Sequence, residues 1–168
     1  MKAHMSKTKL FGMLALTLAG FAAACDDDDN GTGPGQERFI ARLEGAKERP
    51  TPVTTNTTGT ATFTLTNDTT ISYAITLVNA TGITAAHIHL GGPDVAGGII
   101  VGLFGPASPA VNVANGTLVE GRITRGTPLL LGLSFQSLLA LMRTGDVYAN
   151  VHSTSNPAGV VRDQIIRQ

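Results

Sequence analysis

The chain has 168 residues with 12 basic and 12 acidic groups, 42% hydrophobic residues, 20 glycines and a single cysteine. That length suffices for one ordinary domain with a real core, and a lone cysteine excludes an internal disulfide. The charges balance and form no basic stripe along a strand or helix, which argues against nucleic acid as a partner.

The first residues read as an export segment. Lys2, Lys7 and Lys9 precede an uncharged run from Leu10 to Ala24 that is apolar but for Thr17. The run is shorter than the roughly 20 residues a membrane span needs, and it has the build of a secretory signal. It ends Phe21-Ala22-Ala23-Ala24-Cys25, which resembles a bacterial lipobox, in which small residues precede a cysteine that is lipidated. Ala22 stands where the usual leucine would be. The competing reading is an ordinary cleaved signal that ends near a cysteine. With residues 1–24 removed, 9 basic groups face 12 acidic ones, a net charge of −3. Asp26 to Asp29 supply four of those negatives, and with Gly31-Thr32-Gly33-Pro34-Gly35 they read as a solvated tether over 25–36. A lipid anchor on Cys25 implies the membrane as a partner and the extracytoplasmic side of a bacterial envelope as the location. An acidic residue after the anchor resembles an inner-membrane retention signal in some lineages, so inner and outer membranes both stay open.

From Phe39 the pattern has period two, as in half-buried strands. Phe39, Ala41 and Leu43 alternate with Ile40, Arg42 and Glu44, and a turn-rich connection follows over Gly45 to Asn56. Ala61, Phe63 and Leu65 alternate with threonines, Asn67-Asp68 marks a turn, and Ile71, Tyr73, Ile75 and Leu77 return as a hairpin partner. Asn79 to Gly82 separates this strand from another over Ile83 to Leu90. Gly91 to Gly98 reads as a loop, Ile99 to Phe104 as a short strand covered on both faces, and Gly105 to Gly116 as a second loop. Thr117 to Thr124 alternates again, with Gly121 a bulge or close-packing point. Phe135, Leu138, Leu139 and Met142 predict a helix, with Ser134 its N-cap and Gly145 its stop. Val147 to His152 and Val160 to Ile166 close the chain as strands around an Asn156-Pro157-Ala158-Gly159 turn. About eight strands with one helix in a connection predict an all-β, antiparallel, Greek-key-like sandwich over 37–168.

The chemistry concentrates in Ala85-Ala86-His87-Ile88-His89-Leu90-Gly91. On a strand His87 and His89 share one face, about 6.5–7 Å apart, while Ile88 and Leu90 take the other. With His152 on a later strand they form a candidate copper or zinc site. The alternative is structural, with the imidazoles bonding loop carbonyls to hold Gly91–Gly98. Arg162 and Asp163 sit on the last strand, where Arg162 pairs with Glu120 or Glu48 or stays solvated. No Gly-x-Ser-x-Gly context surrounds Ser134 or Ser137, so a serine nucleophile is not expected. Gly91–Gly98 opens no helix, which argues against a phosphate loop.

Four segments in order, Leu43-Glu44-Gly45-Ala46-x-Glu48-x-Pro50, Gly59-Thr60-Ala61-Thr62-Phe63, Ala86-His87-Ile88-His89-Leu90-Gly91 and Tyr148-Ala149-Asn150-Val151-His152, resemble the CHRD domain. This module is named from chordin and is common in bacterial exported proteins. The resemblance runs from about Glu37 to Ile166. It departs where the family continues Gly-Glu-Ile-Arg-Gly-Gln and this chain has Gly159-Val160-Val161-Arg162-Asp163-Gln164. It implies a non-catalytic extracytoplasmic binding or envelope-interaction module, with Glu48, Asn150 and Arg162 as structural or binding residues and an unidentified envelope or extracellular partner. A more distant likeness is to copper/zinc superoxide dismutase, also a sandwich with a His-x-His strand. On that analogy His87, His89 and His152 form the copper side. The remaining copper ligand and the zinc histidines have no counterpart, since the fourth histidine, His4, lies in the export segment. That leaves a three-histidine copper or zinc site without dismutase chemistry as the alternative function.

Overall fold

The computed structural model describes Met1 and residues 36–168. Apart from Met1, the expected export segment over 1–24, Cys25 and the tether up to Gly35 lie outside the described residues. Among the described residues, no helix is long and apolar enough to cross a membrane.

Strand β1 (Glu37–Glu44) buries Phe39, Ala41 and Leu43 completely, and β2 (Thr58–Asn67) does the same with Ala61 and Phe63. The hairpin from β2 to β3 (Thr70–Leu90) turns on Asn67, whose Oδ1 accepts from the backbone N–H of Thr69 at 3.0 Å and its hydroxyl at 2.8 Å. Short polar side chains close turns in this way.

The two strands expected on either side of Asn79–Gly82 are one strand of 21 residues. Asn79 and Gly82 do carry turn conformations, with φ of 54° and 65°, but the chain stays extended through them. Inward positions are odd up to Leu77 (Ile71, Ile75, Leu77), even at Ala80 after Asn79, odd again at Ile83 after Gly82, and even at Ala86 and Ile88. The two left-handed residues thus offset each other, and the lasting change of phase lies at the register shift between Ile83 and Ala85, where two residues of β3 stand against one step of β6. A one-residue slip moves every following side chain to the opposite face.

Beyond a loop, β4 (Ile99–Phe104) pairs with the second half of β3 and buries Ile100, Val101 and Leu103. It is not covered on both faces, because Gly102 is exposed. The expected loop over Gly105–Gly116 is shorter than read, since β5 (Val111–Thr124) already runs antiparallel to the first half of β3 from Val111. Val111–Gly116 buries no side chain fully, so its backbone ladder rather than a hydrophobic pattern makes it a strand. Gly121 is a close-packing point, because a Cβ there would run into the Tyr73 ring.

Helix α1 (Phe135–Thr144) has the expected ends. Ser134 Oγ accepts from the Ser137 N–H at 3.1 Å, and Gly145 at φ 75° caps the last turn. Phe135, Leu138, Leu139 and Met142 form its buried face. The chain ends in β6 (Val147–Ser153), β7 (Val161–Gln164) and β8 (Ile166–Arg167). The last two were expected as one strand. They separate at fully buried Ile165, whose N–H bonds Val147 O at 3.0 Å before the chain moves to β1.

The result is the expected antiparallel all-β architecture, closed like a barrel. The pairing runs β2-β1-β7-β6-β3, and β3 returns to β2. A single pair, Glu44 opposite Arg162, joins β1 to β7 and completes the ring. Phe63→Ala in this core is expected to cost about 3–5 kcal/mol, read as a lower urea midpoint with an unchanged slope. Val111→Ala, at a half-exposed edge position, should stay within about 0.5 kcal/mol of the parent.

Candidate functional site

Residues opposite each other in antiparallel strands share a face, and two rows cross β3, β6 and β7. One is His89, Tyr148 and Gln164; the other is His87, Asn150 and Arg162. His152, two residues beyond Asn150, extends the same face. The opposite face of these strands carries Ile88, Ala149, Val151 and Val161 into the core. The polar face is nevertheless mostly buried: exposure is 7% for His89, 8% for His152, 3% for Asn150 and 1% for Arg162, with His87 half-buried. Glu48 and residues of the Gly91–Gly98 and Ser153–Val160 loops bond to these side chains.

Burying polar groups under loops requires that nearly every one find a partner. Arg162 supplies most of the connection to the Gly91–Gly98 loop. Its guanidinium donates to Val95 O at 3.1 Å, Gly92 O at 3.4 Å and Pro93 O at 3.5 Å, and to Gln164 Oε1 at 3.4 Å. It also lies 3.5 Å from the centroid of the Tyr148 ring, a cation–π contact strengthened by desolvation. Neither carboxylate expected to pair with Arg162 bonds it. Glu120 lines the outer surface of β5, and Glu48 accepts from Asn150 Nδ2 at 3.5 Å. Gln164 Nε2 donates to Gly91 O and Gly145 O at 3.0 and 2.8 Å. Asp163 points elsewhere, to the Arg42 N–H and Lys47 Nζ, both at 3.0 Å.

The three histidines meet. Their candidate ligand atoms all lie within 4.8 Å of one another. His89 Nδ1 is 3.0 Å from Gly97 O, and His152 Nδ1 is 3.0 Å from Pro157 O. A carbonyl only accepts, so both Nδ1 atoms carry the proton and both Nε2 atoms present lone pairs. His87 Nδ1 lies 3.0 Å from His152 Nε2, and since that Nε2 accepts, His87 is the donor. His89 Nε2 is buried with no partner. The His89 ring stacks on Tyr148 with centroids 5.1 Å apart and planes at 13°. Tyr148 Oη accepts from the Gly97 N–H at 3.0 Å. Gly97 is thus held from both sides, and a Cβ there would strike the Leu90 backbone.

Electrostatics keep the rings neutral. Burial, then the charges of His152 and His89, lower the His87 pKa to about 4. Burial lowers His89 and His152 as well, against the opposing effect of their carbonyl bonds. Glu48 moves the other way, raised by burial to about 7 although Arg162 and Asn150 pull it down. Its Oε1 and Asn150 Oδ1 are buried without partners, and both crowd Gly159, at 2.6 Å from where a Cβ would stand.

All the residues singled out on this face in the sequence, Glu48, His87, His89, Asn150, His152 and Arg162, fall in one layer, buried except for half-buried His87. Tyr148, Gln164 and Gly97 complete it and were not singled out. Their signal was available as period-two alternation, Tyr148-x-Asn150-x-His152 and Arg162-x-Gln164, in strands too apolar to face water. A protein-family model described as the CHRD domain matches residues 39–165. No curated protein and no solved structure matches the chain.

The shifts set the acid response. His87 is depressed from about 6.5 to about 4, so its contribution is complete above about 6.5 and is lost as pH falls toward 4. His89 and His152, also lowered, act with the same sign. Glu48, raised from 4.5 to about 7, binds its proton earlier in the folded state, so acidification favours folding through it. Three histidines outweigh one carboxyl. The urea midpoint should therefore fall between pH 7 and pH 4.5, and more steeply in Glu48→Gln; a flat or rising midpoint in the parent protein would contradict this balance.

Proposed function

The chain belongs to the CHRD-domain family, and on that premise we propose a lipid-anchored, extracytoplasmic, non-catalytic binding domain whose ligand is a copper or zinc ion. The observation that carries the metal reading is the orientation of the imidazoles. His89 and His152 each commit Nδ1–H to a backbone carbonyl, the outer-sphere arrangement that aims Nε2 at a metal and fixes its tautomer. His87 is the third donor. Around one ion at about 2.0 Å, three nitrogens stand roughly 3.3–3.5 Å apart, so a spread of up to 4.8 Å requires the rings to draw in by about an ångström. His87 gives up its bond to His152 and turns a lone pair inward, which needs a tautomer change but no net loss of a proton.

Binding without catalysis fits the family and the lack of any Gly-x-Ser-x-Gly nucleophile context in the sequence. The anchor rests on the Ala22-Ala23-Ala24-Cys25 sequence and the acidic, glycine-rich run after it. It leaves the membrane, inner or outer, unassigned.

Calorimetric titration of the purified 37–168 domain is expected to give one copper or zinc ion per chain. His152→Ala should weaken binding by more than about a hundred-fold, beyond what loss of an outer-sphere bond costs. No binding, or equal binding by the variant, would remove the metal reading. For the anchor, the full chain expressed in a bacterium should partition into membranes and incorporate labelled fatty acid. Cys25→Ser should remain in the soluble fraction without label.

A further inference from the structure

We propose that the three-histidine site selects a monovalent ion, copper(I), over divalent ions. This rests on the metal reading above and goes further by assigning the charge of the ion. All three donors are neutral imidazoles, and no carboxylate shares the group among the described residues. The acid bonded into this polar layer, Glu48, hydrogen-bonds Asn150 and not a histidine. The one formal charge stacked next to the ligands is positive. Arg162 lies over Tyr148, and Tyr148 stacks on His89. It is 1% exposed and bonded to uncharged acceptors, three backbone carbonyls and the Gln164 amide.

Charge, rather than ligand number, discriminates here, because three histidines and a water hold zinc in other proteins. The desolvation cost of an ion grows with the square of its charge, so a dication costs about four times a monocation at one burial. Repulsion from Arg162 adds to this. At a separation on the order of 10 Å and an effective dielectric of about 20, each unit of positive charge on the ion costs roughly ten- to twenty-fold in affinity. Soft, low-coordinate copper(I) accepts three neutral nitrogens without demanding an anion.

The experiment measures copper(I) affinity by competition with a copper(I) chelator under ascorbate, and zinc(II) affinity by competition with a zinc chelator, on the folded 37–168 domain. The parent is expected to hold copper(I) at least a hundred-fold more tightly. Arg162→Gln should raise zinc(II) affinity about tenfold more than copper(I) affinity, whereas a merely structural role would weaken both alike. Should that variant fail to fold, Gly102→Asp gives the same reading. Gly102 is exposed opposite His87, and a Cβ there meets only the His87 ring at an ordinary 4.0 Å. The added carboxylate should raise zinc(II) affinity by ten-fold or more relative to copper(I). Zinc(II) binding as tight as copper(I) in the parent, or equal effects of Gly102→Asp on both ions, overturns the proposal and leaves metal binding standing. Absence of binding by either ion removes both readings.

Discussion

A buried guanidinium must be solvated by something, and in this domain loop carbonyls do it. Arg162 draws the carbonyls of Gly92, Pro93 and Val95 onto the outer face of β7. That brings the Gly91–Gly98 loop down over β3 and β6. With the loop in place, Gly97 meets His89 on one side and Tyr148 on the other. The Gly91–Gly98 part of the roof and the tautomer of His89 beneath it therefore follow from one buried charge, while Pro157 O of the second loop sets His152. The same residue forms the backbone pair with Glu44 that closes the ring. Closure of the barrel and construction of the polar layer meet at a single position.

The second constraint lies in β3. Its first half completes a hydrophobic face with β2 and β5, and its second half carries His87 and His89 on the side away from the core. A strand of 21 residues in strict alternation would keep odd positions inward throughout, which would send both histidines into the apolar interior. Asn79 and Gly82, in left-handed conformations, shift the alternation to even at Ala80 and back to odd at Ile83, and the bulge between Ile83 and Ala85 makes the change that lasts. Short polar and glycine residues adopt the left-handed conformation at little cost, and none of these irregularities ends the strand.

Much of this architecture is legible in the sequence. Period-two alternation locates β1, β2 and β6, and helix α1 is bounded by its cap and its glycine, because each signal reflects a local preference that tertiary structure reinforces. Signals whose meaning depends on a partner are less legible. Asn79 and Gly82 look like a turn, since the sequence does not show that β5 and β6 keep the chain extended on either side. Val111–Gly116 looks like a loop because its strand character comes from the ladder with β3. The site was half legible. The histidines stood out by their spacing on strands, and Glu48, Asn150 and Arg162 through the segments that resemble the CHRD domain, but pairing Arg162 with a carboxylate was the wrong expectation. Carbonyl oxygens carry no mark in a sequence, and a loop rich in glycine and proline exposes many of them.

The placement of the imidazoles on β3 and β6 has a kinetic consequence. Both strands are hydrogen-bonded along two edges, β3 to β4 and β6, and β6 to β3 and β7. Local openings in proteins begin in segments with few such bonds, and this pair offers none. The backbone beneath the rings should open only with the whole domain. Whatever enters the cluster must therefore come and go by side-chain rotation and motion of the covering loops, on timescales much shorter than unfolding. Residence time and fold lifetime are thereby separate properties of the molecule, the first set by the roof and the second by the barrel.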